Sequence, residues 1–298
     1  MKMLTIFLSG LLITSLLSSD ESKPYLITTP QLSKETMAVS DHSKNSLITP
    51  QLCELLDITG VTCDKTLPAI VEATQNAWLR KAGSERWEII EFYTHNQQRQ
   101  IAGLCDKMGF FGEALPQNQH YTYCCILGAA LPTARARILY VKELWEQGVR
   151  FDHVILLTGD RNLDDRIDLV PELDALPRNE SAAIELLYSR LPLPQKMREL
   201  PVTLIDTPKK DSRRPSTSDT ITEWMNQSPR PGNCLFISNQ PWVKYQKAIA
   251  QCYLKEEFPF EVVGPKASSM FRKRAAVMLD NVARWLYAEY QLSQRKNP

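Results

Sequence analysis

Two short apolar runs with one amphipathic helix between them constrain this chain more than any other feature. The first run is Tyr123, Cys124, Cys125, Ile126 and Leu127, and it stops at Gly128. The second is Val154, Ile155, Leu156, Leu157 and Thr158, ending on Gly159 and Asp160. Between them, after Pro132 and Thr133, the stretch 134–145 carries Ile138, Leu139, Val141 and Leu144 at helical spacing before a stop at Gly148. Apolar runs bounded by glycine and joined by one helix read as a βαβ unit with buried parallel strands. The crossover is then right-handed, and a ligand site lies beyond the carboxyl ends of the strands.

The same alternation continues downstream. Further strands are expected at 201–206, 234–237 and 260–263, and helices at 180–190, around Ile221, Trp224 and Met225, at 242–254 and at 268–290. The expected fold class is therefore α/β, a doubly wound, mostly parallel Rossmann-like sheet over residues 121–298. Upstream, 68–81 and 84–108 read as helices, with Ser84 capping the second, so 53–120 is expected to be a helical extension packed on the core. His95, set among Asn and Gln, reads as a solvated side chain.

The beginning of the chain follows a different logic. Lys2 precedes an uncharged apolar segment, 3–17, and then Ser18, Ser19 and Asp20, the pattern of a secretory signal peptide. The alternative is an uncleaved N-terminal anchor, the one way in which this chain is expected to touch a membrane. The expected location is periplasmic or secreted, or inner-membrane anchored if the leader is kept. Residues 20–52 read as a flexible linker, polar and rich in Ser and Thr, in which the segment 19–32 returns in altered form as 40–52.

Charge and cysteine usage narrow the function classes. With 35 basic and 34 acidic residues the net charge is +1, so no global field steers the chain toward nucleic acid, and no nucleic-acid partner is expected. Of the seven cysteines, Cys124, Cys125 and Cys234 fall in expected buried strands, where a reduced structural role is the default. Cys53 and Cys63 flank a short loop and form the one pair considered for a disulfide. No Cys/His ligand spacing occurs, and no metal site is expected.

The loops after the strands carry the candidate chemistry. Residues 161–178 read as a solvated acidic loop. Its carboxylates Asp160, Asp164 and Asp168 alternate as in an EF-hand, but Asp165 stands where glycine is needed and Pro171 where a bidentate acid is needed. Asn179 is expected to cap a helix that places Glu180 in its first turn. Lys209, Lys210, Arg213 and Arg214 precede a Ser/Thr/Asp-rich helix start, which reads either as an anion cradle or as an exposed basic loop. Ser238 and Asn239 lie where the fourth strand opens into a helix.

With those loops in view the chain resembles the YdcF/SanA-like family of bacterial envelope-associated proteins, over roughly residues 121–263. Gly128 followed by Leu131, Pro132 and Thr133 is similar to the family's opening segment. Leu157 to Asp160 resembles its serine-glycine-glycine turn, with Asp160 in place of the second glycine. Asn179, Glu180, Ser181 and Ala182 resemble a serine-glutamate-alanine element. Thr217, Ser218, Asp219 and Thr220 keep the threonine and an acid of an asparagine-rich signature. Ile237, Ser238 and Asn239 correspond to a threonine-serine turn. The chain departs from the family where Trp242 and Tyr245 replace a histidine and an arginine, with Lys244 adjacent.

The resemblance implies a Rossmann-like domain with a polar site for a small anionic or nucleotide-like ligand. It names no reaction and no cofactor. Combined with the loops, it gives Glu180 and Asp219 as a candidate acid/base pair. Gly128, Gly159, Asp160, Arg213, Arg214, Thr217, Ser238 and Asn239 are the candidate ligand contacts. Two function classes follow: an envelope binder of, or enzyme acting on, a small phosphate-bearing molecule, and a non-catalytic envelope-biogenesis or interaction factor. The first expects these residues to gather around one hollow; the second tolerates their dispersal.

Overall fold

A computed structural model describes residues 47–210 and 213–295. The expected leader at 1–19 and most of the expected linker, with its duplication, lie outside the described residues.

Five strands form one parallel sheet: β1 (His120–Leu127), β2 (Arg150–Gly159), β3 (Val202–Thr207), β4 (Cys234–Ile237) and β5 (Phe260–Val263), in the order β3-β2-β1-β4-β5. Register is set by pairs such as Leu127 with Leu157 and Ile126 with Ile237. Because the chain runs outward from β1 to β3 and then jumps back to β4, the switch point of the topology lies between β1 and β4. The fold is thus the α/β Rossmann-like sheet that the glycine-bounded runs called for.

Alternate side chains of each strand point to opposite faces, and both faces are covered. Cys124, Ile126, Leu156 and Ile237 pack under α4 (Leu131–Glu146) and α5 (Glu180–Arg190), with the short α6 (Gln195–Arg198) beside them. Cys125, Leu127, Leu157 and Phe236 pack under α7 (Thr217–Asn226), α8 (Val243–Tyr253) and α9 (Ala275–Arg295). The same second cluster takes in Leu52 and Leu55 of α1 (Pro50–Ile58), Ile70 and Trp78 of α2 (Leu67–Trp78), and Ile101 and Leu104 of α3 (His95–Lys107).

Three expectations are corrected here. The linker reading reached too far, because α1 starts at Pro50, Thr49 caps it through the Leu52 N–H, and Leu52 is wholly buried. The helix read over 84–108 begins only at His95, capped by Thr94 in a reciprocal box with Gln97. Ahead of it the segment 84–94 is irregular apart from one 3-10 turn, Arg86–Glu88, and Ser84 caps nothing. Its side chains explain why: Trp87 and the exposed Ile90 and Phe92 supply no continuous helical stripe. His95 is exposed, as its neighbours suggested.

Cys124, Cys125 and Cys234 are fully buried thiols, while Cys53 and Cys63 are partly exposed and unpaired. No helix among the described residues is long and apolar enough to cross a membrane.

Candidate functional site

At the switch point an arginine fills the crevice between β1 and β4. Arg137, buried on the inner face of α4, donates from Nη1 to the carbonyls of Leu127 (2.6 Å) and Gly128 (2.9 Å). Its Nε and Nη2 donate to Asn239 Oδ1 at 3.0 and 2.7 Å. Burial pushes the Arg137 pKa down to about 10, and the charge of Glu180 opposes that fall. Arg137 falls on the same helical stripe as Ala134, Ile138 and Val141, and a cation on an otherwise apolar stripe was the signal that sequence reasoning passed over.

Next to it lies Glu180, only 7% exposed at the start of α5, with Asn179 capping the helix through the Ala182 N–H. Glu180 Oε2 accepts from Arg161 Nε at 2.7 Å. Its other oxygen faces Gly128 so closely that a Cβ there would overlap it, and would also come 3.0 Å from the Leu157 carbonyl. Burial raises the Glu180 pKa above the usual carboxylate value, and the charge and hydrogen bond of Arg161 only partly offset it.

Arg161 is shared. Its Nη1 and Nη2 grip both oxygens of Asp168 at 2.7 and 2.8 Å. Asp168 also accepts the backbone N–H of Leu131, at the start of α4, and of Asp164, both at 2.9 Å. Burial pushes its pKa up, but these hydrogen bonds win and hold it below the usual range. Asp168 has no exposed surface at all, which corrects the reading of 161–178 as a solvated acidic loop: one of its acids is the buried pin that ties the loop to α4.

The basic stretch before α7 is engaged with its own acids. Ser216 and Asp219 form a reciprocal capping box, and Asp219 also takes Lys210 at 3.2 Å and Arg213 at 3.0 Å. Burial alone would raise the Asp219 pKa; the Ser216 hydroxyl and N–H, Lys210 and Arg213 bring it down to about 2. The helix start that was to cradle an anion therefore already holds a carboxylate of the chain itself. Arg214 pairs with Glu85 at 3.1 Å. Thr217, the first residue of α7, is partly exposed.

The remaining candidates divide. Gly159 is buried against the ring of Pro215, where a Cβ would meet the proline at 2.9 Å. Asp160 accepts from Asn179 Nδ2 at 3.3 Å. Ser238 has no exposed surface and donates to Gln246, which turns it into α8 and away from solvent. Gly128, Glu180 and Asn239 thus meet around Arg137 and Arg161, whereas Asp219 belongs to a separate network with Lys210 and Arg213.

Across this edge runs the irregular segment 84–94. Trp87 stacks on Arg166 from the loop after β2, with 4.3 Å from Cζ to the ring centroid. Glu85 pairs with Arg214 after β3, and Arg86 lies over Trp242 after β4 at 4.4 Å. The Ile89 carbonyl accepts from Arg274 (3.3 Å) and Glu91 from the Ala276 N–H (3.1 Å), both after β5. One strap therefore touches the loops that follow four of the strands. Beneath it the side chains of Arg137, Asn239, Arg161, Glu180 and Asp168 interlock. A cavity of about 330 Å³ is lined by Cys53, Asp57, Cys63 and Lys65, and one of about 160 Å³ by Tyr123, His153 and Trp224, neither at the strand ends.

Comparison of the chain with family models, with curated proteins and with solved structures gives no match.

Proposed function

We propose that this chain is an exported envelope protein that binds a small anionic, nucleotide-like or phosphate-bearing molecule at the carboxyl edge of its sheet. One observation carries the reading. A buried carboxylate, Glu180, sits at the end of β1 against a glycine that leaves it just enough room, with its pKa raised by burial and two arginines beside it. Burying ionisable groups is costly, and a carboxylate shifted by burial beside charged partners, at the carboxyl edge of a parallel sheet, is a candidate for a binding site. The excess of arginine along the same edge favours an anion, and the resemblance to YdcF/SanA-like proteins points the same way.

The alternative, a non-catalytic envelope-biogenesis or interaction factor, is favoured by a different observation. Glu180 and Asp219 are each ion-paired and belong to separate networks, so neither is free to act as a base on the other's substrate.

A thermal-shift screen of nucleotides, S-adenosylmethionine, sugar phosphates and polyprenyl phosphates tests the binding reading. A hit is expected whose shift shrinks in Glu180→Gln and in Asn239→Ala. A hit indifferent to both, or no hit at all, sinks the reading. A hit that is also converted by the wild-type chain, and no longer by Glu180→Gln, makes the protein an enzyme.

A further inference from the structure

At this edge Arg86 is a cation without a partner of its own. Its Nε is buried without a hydrogen-bond partner, and among the described residues the guanidinium makes neither a hydrogen bond nor an ion pair. It lies instead on the face of Trp242, in a neighbourhood that already contains Arg80, Arg214 and Arg284. The acids nearby are committed elsewhere. Asp280, wholly buried, takes Arg80 (3.3 Å) and both an Nε and an Nη2 of Arg284 (3.0 and 3.1 Å), and Glu85 takes Arg214. Four guanidinium groups thus share two carboxylates, and the unmatched one is Arg86.

A second orphan sits on the same stack. Trp242 is 6% exposed and its Nε1–H, buried, has no acceptor. A guanidinium with a buried Nε that finds no acceptor, and a buried indole N–H without one, are each unfavourable. Both lack a hydrogen-bond acceptor, and the guanidinium in addition lacks a counter-charge. Arg86 is itself only partly buried, so a small ligand can reach it from solvent.

We propose that this cluster binds the phosphoryl group of a small-molecule ligand, with Arg86 making the direct contact and Arg80, Arg214 and Arg284 supplying the surrounding positive charge. A phosphoryl group suits the site better than a carboxylate. It brings up to two negative charges and several acceptor oxygens to a neighbourhood of four guanidinium groups and two carboxylates. Trp242 holds the Arg86 plane in position from beneath. The assignment rests on the reading of the carboxyl edge as a small-anion site, and its direct contact, Arg86, lies outside residues 121–263.

Inorganic phosphate and pyrophosphate are the probes, titrated into the full chain by calorimetry and thermal shift against chloride at matched ionic strength. A saturable, phosphate-specific stabilisation is expected. Arg86→Met should weaken it roughly tenfold or more, the worth of one charged hydrogen-bonding partner. Arg86→Lys, which keeps the charge but not the fork, should fall between, and it decides the matter should the methionine variant fail to fold. Arg166→Ala, whose guanidinium meets the strap at Trp87 and pairs with Asp164, should bind as the wild type does. A hexose phosphate and a short-chain phosphatidic acid, compared at equal concentration, distinguish a soluble from a lipid source of the group. Absence of a phosphate-specific shift, or an equal shift in both Arg86 variants, overturns the proposal. A ligand that depends on Glu180 yet binds Arg86→Met normally also overturns it while leaving the strand-end site standing. Phosphate binding that requires Arg86, with no ligand sensitive to Glu180→Gln, supports the cluster and sinks the strand-end reading.

Discussion

Glu180 gives one carboxylate oxygen to Arg161, at 2.7 Å, and turns the other toward the Cα of Gly128. The absence of a side chain at 128 is therefore steric: its Cβ would overlap Glu180 and press on the Leu157 carbonyl, which itself accepts the Gly128 N–H at 2.7 Å. Gly128→Ala should destabilise the fold by about 1–3 kcal/mol, the usual range for overpacking a filled site. Adding Glu180→Ala to it should restore part of that loss, because the nearer of the two clashes then disappears. Urea unfolding of the two single variants and the double variant checks this; strict additivity would contradict the contact.

Asp168 and Glu180 share Arg161 but should respond differently to loss of charge. Asp168 accepts four hydrogen bonds and its pKa is depressed, so Asp168→Asn leaves buried donors badly served and should cost about 3–5 kcal/mol. The pKa of Glu180 is raised, so its ionised form is already disfavoured by burial, and Glu180→Gln should cost distinctly less. The pH dependence follows. The contribution of Asp168 is complete above the unfolded carboxylate value and is lost as pH falls through its depressed folded value. That of Glu180 is most favourable below the unfolded value and declines as pH rises through its raised folded value. Denaturation curves across the acid range should therefore fall less steeply toward low pH in Asp168→Asn than in the wild type.

The strands and their helices were legible because burial on both faces writes an unbroken apolar run, as in Val154 to Leu157, and glycine ends it. The strap was not. Residues 84–94 derive their conformation from partners remote in sequence, Arg166, Arg214, Trp242 and Arg274, and nothing local announces them. Asp168 was misread for a related reason: in sequence a pinning carboxylate looks the same as a solvated one until its four donors are in place. Gly128 and Asn239 could be placed because they follow the ends of strands, and Glu180 because Asn179 before it marks a helix start. Arg86 lies in the irregular segment outside the repeating pattern, and Asp280, although on the expected closing helix, has partners remote in sequence, Arg80 above all, that periodicity does not reveal.

Asp219 should behave as a helix cap. It closes a reciprocal box with Ser216 and holds Lys210 and Arg213, and its pKa is drawn down to about 2. Asp219→Ala should cost about 1–2 kcal/mol, as removal of a side-chain cap does. It should also free Arg213 and Lys210, so that phosphate binding is unchanged or slightly stronger by calorimetry. A complete loss of ligand binding in a well-folded Asp219→Ala chain would return this residue to the site.

Arg86 should prove a burden to the ligand-free protein. Burial, and then the charge of Arg80, lowers its pKa to about 9. For a base whose pKa falls on folding, the unfolded chain holds the extra proton between the folded and unfolded values. The burden is therefore fully present below about pH 9 and is relieved as pH rises above it. At neutral pH, replacing this unmatched cation by an apolar side chain of similar length should stabilise the empty protein. Arg86→Met is expected to gain about 1–4 kcal/mol, the range seen when buried charges give way to well-packed hydrophobic groups. Saturating phosphate should then narrow or reverse the difference, since it stabilises the wild type and not the variant. Chemical denaturation of both proteins at pH 7, with and without phosphate, measures all four stabilities. If Arg86→Met is markedly less stable than the wild type when both are empty, the guanidinium is compensated within the protein and has no need of a ligand.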